Sequence, residues 1–211
     1  MPGMAANSKI FERIQLPSEV FDMHFLEWIP PQKNESLTSY ASRISESITH
    51  RDSVLIGVSF GGIIVQELKP FVNPRKIIII SSVKSNSELS KQMRIARRTK
   101  AYKLLPTKLF VDFKFFSKYV LTLFNIKERI TLYKKYLTVR DKNYLDWSIE
   151  HIVNWEREEI DEDVVHIHGE LDEVFPIKNI KNCIRIPGGT HIMILTKFKW
   201  LNENLPKIIL K

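Results

Sequence analysis

Five residues, Gly57-Val58-Ser59-Phe60-Gly61, carry the clearest chemical signal in this chain. They follow the apolar run Val54-Leu55-Ile56 and precede, after Gly62, the apolar run Ile63-Ile64-Val65. That order reads as a strand, a sharp turn carrying one serine, and a helix. A serine hydroxyl is a weak nucleophile until the backbone presents it to a base in open surroundings. Gly57 and Gly61, lacking a β-carbon, let strand and helix approach closely around a strained turn. The helix starting at Phe60 points free backbone N–H groups toward the serine, where negative charge develops if a carbonyl is attacked. A glycine-rich turn also serves packing alone, so the pentapeptide needs partners before it implies catalysis.

Two later segments offer them. Residues 164–176, Val-Val-His-Ile-His-Gly-Glu-Leu-Asp-Glu-Val-Phe-Pro, read as a buried strand, a glycine turn, and an acidic loop closed by proline. Asp172, midway between Gly169 and Pro176, is the expected acid, with Glu170 and Glu173 as neighbouring carboxylates able to substitute. Residues 183–191, Cys-Ile-Arg-Ile-Pro-Gly-Gly-Thr-His, read as a short strand, a break, and one histidine opening the last helix. His191 is the expected base. The remaining histidines, His24, His50, His151, His166 and His168, fall in expected strands or helices and read as structural, with His168 placed to shape the acid loop.

Serine, then acid, then histidine is a known chain order. On G-V-S-F-G, H-G-E-L-D-E-V-F-P and G-G-T-H, the sequence resembles the α/β-hydrolase superfamily. The early Pro2-Gly3-Met4-Ala5-Ala6-Asn7 is similar to that family's glycine loop beside the serine turn. The resemblance implies an oxyanion hole made by the backbone N–H groups of Met4 and Phe60. The family carries one or more strands before this loop, and here the loop starts at residue 2. Either the leading strands are short or missing, or the sequence starts late.

The rest of the chain must position these groups. At 211 residues, one core with an inserted subdomain is expected. The coarse pattern is a strand over 21–28, a helix over 36–49, the serine strand over 54–57, and a helix over 61–70. An Ile-Ile-Ile-Ile strand over 77–82 follows, then strands over 164–168 and 183–186 and a final helix over 193–204. Short buried strands alternating with helices imply an α/β fold, a mostly parallel sheet covered by helices on both faces. Helical patterns over 89–104, 107–123, 126–138 and 143–155 interrupt that alternation. Residues 84–157 are thus expected to form a helical cap, inserted in a core made of 1–83 and 158–211. Such caps exclude water and set specificity.

Formal charge is +8, with Lys and Arg exceeding Asp and Glu by 16 to 4 between residues 84 and 142. The basic excess belongs to the expected cap. It can be a solvated face, a field attracting an anionic substrate, or a surface resting on anionic membrane. No recognised nucleic-acid module accompanies it. The single cysteine, Cys183, excludes an internal disulfide, reads as a buried inert thiol, and favours a cytoplasmic setting. No apolar leader stands at residues 1–20, and no apolar run approaches the ~20 residues of a spanning helix. No H-x-x-x-H pair, cysteine cluster or G-x-x-x-x-G-K phosphate loop is present, so neither a metal nor an organic cofactor is expected.

These readings converge on a serine hydrolase acting on a carboxylic ester or thioester, with no metal and no nucleic acid. Two alternatives remain at this stage. One is C–C bond cleavage on an anionic substrate by the same triad. The other is a catalytically weak binding protein that uses the basic cap as its interface. Fold likeness constrains mechanism more than substrate.

Overall fold

The computed structural model describes residues 1–105, 107 and 134–211. Its centre is a parallel four-stranded sheet in the order β1-β2-β3-β4, made of Val54–Val58, Lys76–Ile80, Val165–Gly169 and Ile184–Ile186. Register runs Ile56 opposite Ile78, Ile80 opposite Ile167, and Ile167 opposite Ile184. Sequential parallel strands put every strand-to-helix turn on one edge, the edge where α/β sheets build sites.

Alternation in β2 shows why this run of isoleucines is a central strand. Ile77 and Ile79 join one apolar cluster and Ile78 and Ile80 the other, so the strand feeds cores on both faces. The first face is covered by α1 (Leu37–Ser45), α2 (Phe60–Glu67) and, beyond the short α3 (Lys69–Val72) and the solvent-facing α4 (Lys91–Thr99), by α5 (Lys142–Val153). Ser36 caps α1 by accepting the Ser39 N–H at 3.1 Å, and Leu37, Tyr40, Ala41 and Ile44 form its buried stripe. The second face is covered by the 3-10 turn Ser8–Phe11, by α6 (Met193–Thr196) and by α7 (Phe198–Leu210). The expected final helix is thus two helices, divided at Lys197.

One expected strand is absent. Residues 21–28 adopt no regular structure and form no ladder. Their β-prone composition lacks a neighbour: beside β1 the pairing comes from Met1, whose amino group donates to Ile56 O at 2.7 Å and whose carbonyl accepts the Val58 N–H at 3.1 Å. Single contacts hold the segment instead. Glu27 accepts the Ser8 N–H at 3.0 Å, and the Trp28 indole donates to Gly3 O at 2.9 Å. His24 therefore lies in an unpaired irregular segment and His50 in the loop after α1, not in regular elements. Cys183 is half-buried rather than buried, with burial pushing its thiol up.

The basic segment is uneven. α4 buries no residue, and Ile95, Leu104 and Leu105 stand exposed nearby. By contrast α5 is built into the core through Tyr144, Leu145 and Trp147. The helices expected over 107–123 and 126–138 fall largely outside the described residues. No helix among the described residues is long and apolar enough to cross a membrane.

Candidate active site

Ser59 stands where β1 turns into α2, with φ 54° and ψ −122°. A non-glycine residue in this region costs about 1–3 kcal/mol, which the surrounding contacts must offset. They are mostly backbone contacts. The Ser59 N–H donates to Ile80 O at 3.0 Å, and Ser59 O accepts the Gly62 N–H at 2.9 Å and the Ser82 hydroxyl at 2.7 Å. The strand and helix touch at the glycines: a β-carbon on Gly57 would collide with Gly61 O, and one on Gly61 with Pro2 O.

Asp172 and His191 come from the far side of the sheet. Past β3, Asp172 Oδ1 accepts the Val174 and Phe175 N–H groups, both at 2.9 Å, which aims its carboxylate inward. Past β4, His191 Nδ1 lies 2.9 Å from Asp172 Oδ2 and 3.1 Å from Oδ1, and its Nε2 lies 2.9 Å from Ser59 Oγ. Nδ1–H donating to the carboxylate leaves Nε2 to accept the serine proton. The Asp172 side chain is fully buried and that of His191 is 23% exposed. Burial alone would raise the Asp172 carboxyl. The His191 hydrogen bond and charge, the Phe175 N–H and nearby His168 outweigh it, so the carboxyl sits below its ordinary range.

Behind the acid loop stand two buried histidines. His168 Nε2 donates to Phe175 O at 2.8 Å and lies 3.6 Å from Asp172 Oδ2. Its Nδ1 is then free to accept His166 Nε2–H, 3.0 Å away. Burial pushes both imidazoles below the usual histidine range, and the nearby Lys84 ammonium adds to the effect at His166. Neither Glu170 nor Glu173 makes a side-chain bond to His191 among the described residues, and both are exposed.

The glycine loop lies against the serine as expected. A β-carbon on Gly3 would sit 3.8 Å from Ser59 Oγ. Ala5 turns the loop at φ 63°, the Ala6 N–H donates to Gly3 O at 3.0 Å, and the Ala5 N–H donates to the Tyr144 hydroxyl at 3.3 Å. Met4 thus belongs to this turn, and Phe60 is the first residue of α2; among the described residues neither N–H donates to a protein acceptor. The loop's hooks, Trp28 and Tyr144, and the Ser82 hydroxyl under the serine turn carry no spacing signature and emerge only in three dimensions. So does the one group of three metal-type donors among the described residues, Asp22, His24 and His50.

No family model and no curated protein sequence matches the chain. Its fold, however, has many solved counterparts. A thermophilic esterase from Thermogutta terrifontis superposes with a TM-score of 0.64 at 10% identity, covering 99% of this chain and 87% of that one. A bromoperoxidase from Bacillus anthracis gives 0.56 at 19% identity over 82% and 73%. The 2-hydroxy-6-oxo-6-phenylhexa-2,4-dienoate hydrolase of Rhodococcus sp. strain RHA1 gives 0.57 at 14% identity over 88% and 75%. The chain has the α/β-hydrolase fold.

Proposed function

We propose that this protein is a serine hydrolase that cleaves a carboxylic ester or thioester through Ser59, His191 and Asp172. One observation carries the reading: an unbroken hydrogen-bond path from a buried carboxylate through an imidazole to a serine held at positive φ. In this mechanism Asp172 holds the His191 tautomer and stabilises the imidazolium. His191 Nε2 takes the Ser59 proton as Oγ attacks the carbonyl carbon. The Met4 and Phe60 N–H groups receive the oxyanion, each such donor being worth about 3–4 kcal/mol. Collapse expels the alcohol or thiol, protonated by His191, and a water deprotonated by the same imidazole then releases the acid from the acyl-serine. No step draws on a metal or organic cofactor.

Residues 84–157 are read as the cap of this site. The solvent-facing α4 and the exposed apolar residues after it support that reading, while α5 anchors the segment in the core. Its basic excess favours an anionic acyl substrate.

The test is labelling with a fluorophosphonate probe, read by intact mass. Stoichiometric modification of the wild type, absent in Ser59→Ala and strongly slowed in His191→Ala, supports an activated serine and justifies an ester and thioester panel. Folded protein that stays unmodified removes the hydrolase reading and favours a binding protein that retains the triad's form.

A further inference from the structure

Three side chains outside the triad converge on the surface. Asp22 and His24 are two residues apart in the unpaired segment, and their side chains meet in a hydrogen bond. His50 reaches them from the loop that precedes β1. His24 Nε2 lies 2.8 Å from Asp22 Oδ2, the two imidazole rings are 4.1 Å apart and tilted by 31°, and one donor atom from each of the three residues lies within 4.8 Å of the others.

We propose that Asp22, His24 and His50 form a site for a divalent transition-metal ion of the zinc class. The donor set decides the class. Two imidazoles and one carboxylate suit Zn²⁺, Cu²⁺ or Ni²⁺ and are poor for Mg²⁺ or Ca²⁺, which take oxygen donors. Donor atoms around a tetrahedral zinc ion lie about 3.3 Å apart. The His24–Asp22 separation is already close to that, and exposed side chains reach the rest by rotamer adjustment. Three protein donors leave one coordination position for water.

The location gives the ion a structural task. Residues 21–28 have no ladder, and beyond the Phe21 N–H bond to Pro17 O their position rests on side-chain contacts such as those of Glu27 and Trp28. A shared ion would clasp the segment to the turn entering β1. The far end of that segment is Trp28, whose indole holds Gly3 of the loop beside Ser59. The clasp would therefore support the loop at a distance, with no contact to the reacting atoms.

The experiment uses the full chain without an affinity tag. Zn²⁺ is titrated calorimetrically into wild type, His50→Ala, Asp22→Asn and the double variant His24→Ala/His50→Ala. Each carries a Tm measurement with and without zinc, and a Cu²⁺ spin-resonance spectrum. These side chains are exposed, so the variants keep the core, and circular dichroism checks it. The expected result is one ion per chain, affinity falling at least about tenfold in each single variant, and a zinc-dependent rise in Tm that the double variant loses. The copper spectrum should show two coordinating nitrogens in wild type and one in His50→Ala. Unchanged stoichiometry and affinity in the double variant would overturn the proposal, because the ion would then sit elsewhere. So would the absence of binding at roughly 1 mM zinc, which marks the group as a solvated surface cluster only.

Discussion

The two halves of the proposed triad are not built alike. The serine side, β1 into α2, is held by backbone: carbonyls and N–H groups fix Ser59, and two glycines let the chains touch. The acid–base side, at the ends of β3 and β4, shares a close backbone fit at Gly169 and Gly189 but adds a buried side-chain network: Asp172 on backbone N–H groups, His168 on Phe175, His166 on His168. Backbone geometry does not titrate and tolerates few substitutions. Side-chain networks titrate, and they degrade by degrees. The serine side should therefore fail in steps and the acid–base side gradually and with pH.

The sharpest contrast is at Ser59 itself. Ser59→Ala should cost about 10⁶-fold in kcat on any ester the protein turns over, with a Tm equal to or above wild type because the hydroxyl is not what holds the turn. Gly61→Ala, one residue beyond the motif's second variable position, should cost roughly 3 kcal/mol or more of stability, since its methyl meets Pro2 O. Chemical denaturation of the two variants separates them. Equal stability losses would mean that the backbone account of the turn is wrong.

Next in size is Asp172→Asn, expected to lower kcat by about 10⁴-fold through loss of the His191 tautomer. His168→Gln should follow with a loss on the order of 10²-fold, the scale of a misplaced catalytic group. In the proposed mechanism His168 positions rather than reacts, so the kcat–pH profile of that variant should change along with its rate. A rate loss with an unchanged profile would make His168 a packing residue only.

Acid should expose the same difference through stability. His166 and His168 have folded pKa values below the unfolded value of about 6.5. Below that pH the unfolded chain binds protons that the folded chain refuses, so stability falls as pH drops. Each histidine contributes a slope of up to about 1.4 kcal/mol per pH unit. Asp172, with its carboxyl lowered when folded, adds a second loss that begins only below about pH 4, as pH falls from the unfolded carboxylate value toward the folded one. Denaturation midpoints between neutral and acidic pH should therefore show the first loss in wild type, and His166→Gln should reduce its slope. A slope unchanged in that variant would show that other groups set it.

The smallest effect concerns the basic segment. For an anionic ester, kcat/KM should fall a few-fold between low and high salt, on the scale of screened steering. A flat response would remove steering and leave the basic residues as a solvated face.

Much of this site is readable in the chain because its chemistry is bound to local turns. Ser59, Asp172 and His191 each follow a short apolar strand and sit beside glycine or proline, so residue type and position agree. The sheet was legible for the same reason, in the double-sided isoleucines of β2. What stayed hidden depends on distant partners. Residues 21–28 have strand composition, yet a strand requires a neighbour, and composition does not report one. Trp28, Tyr144 and Ser82 act by side-chain bonds to backbone across long stretches of chain. The cluster at His24 needs His50, and no spacing rule joins them.

Trp28 has a practical side as well. Its indole is buried, bonded to Gly3 O, and stacked on Phe60 with ring centroids 5.1 Å apart. It thus touches residues at both ends of the expected oxyanion hole. Release of the loop would hydrate this indole before the sheet opens, and its emission should move to longer wavelength while far-UV signals persist. The protein carries its own optical gauge of whether the loop is seated, to be read in Trp28 against a background of three other tryptophans.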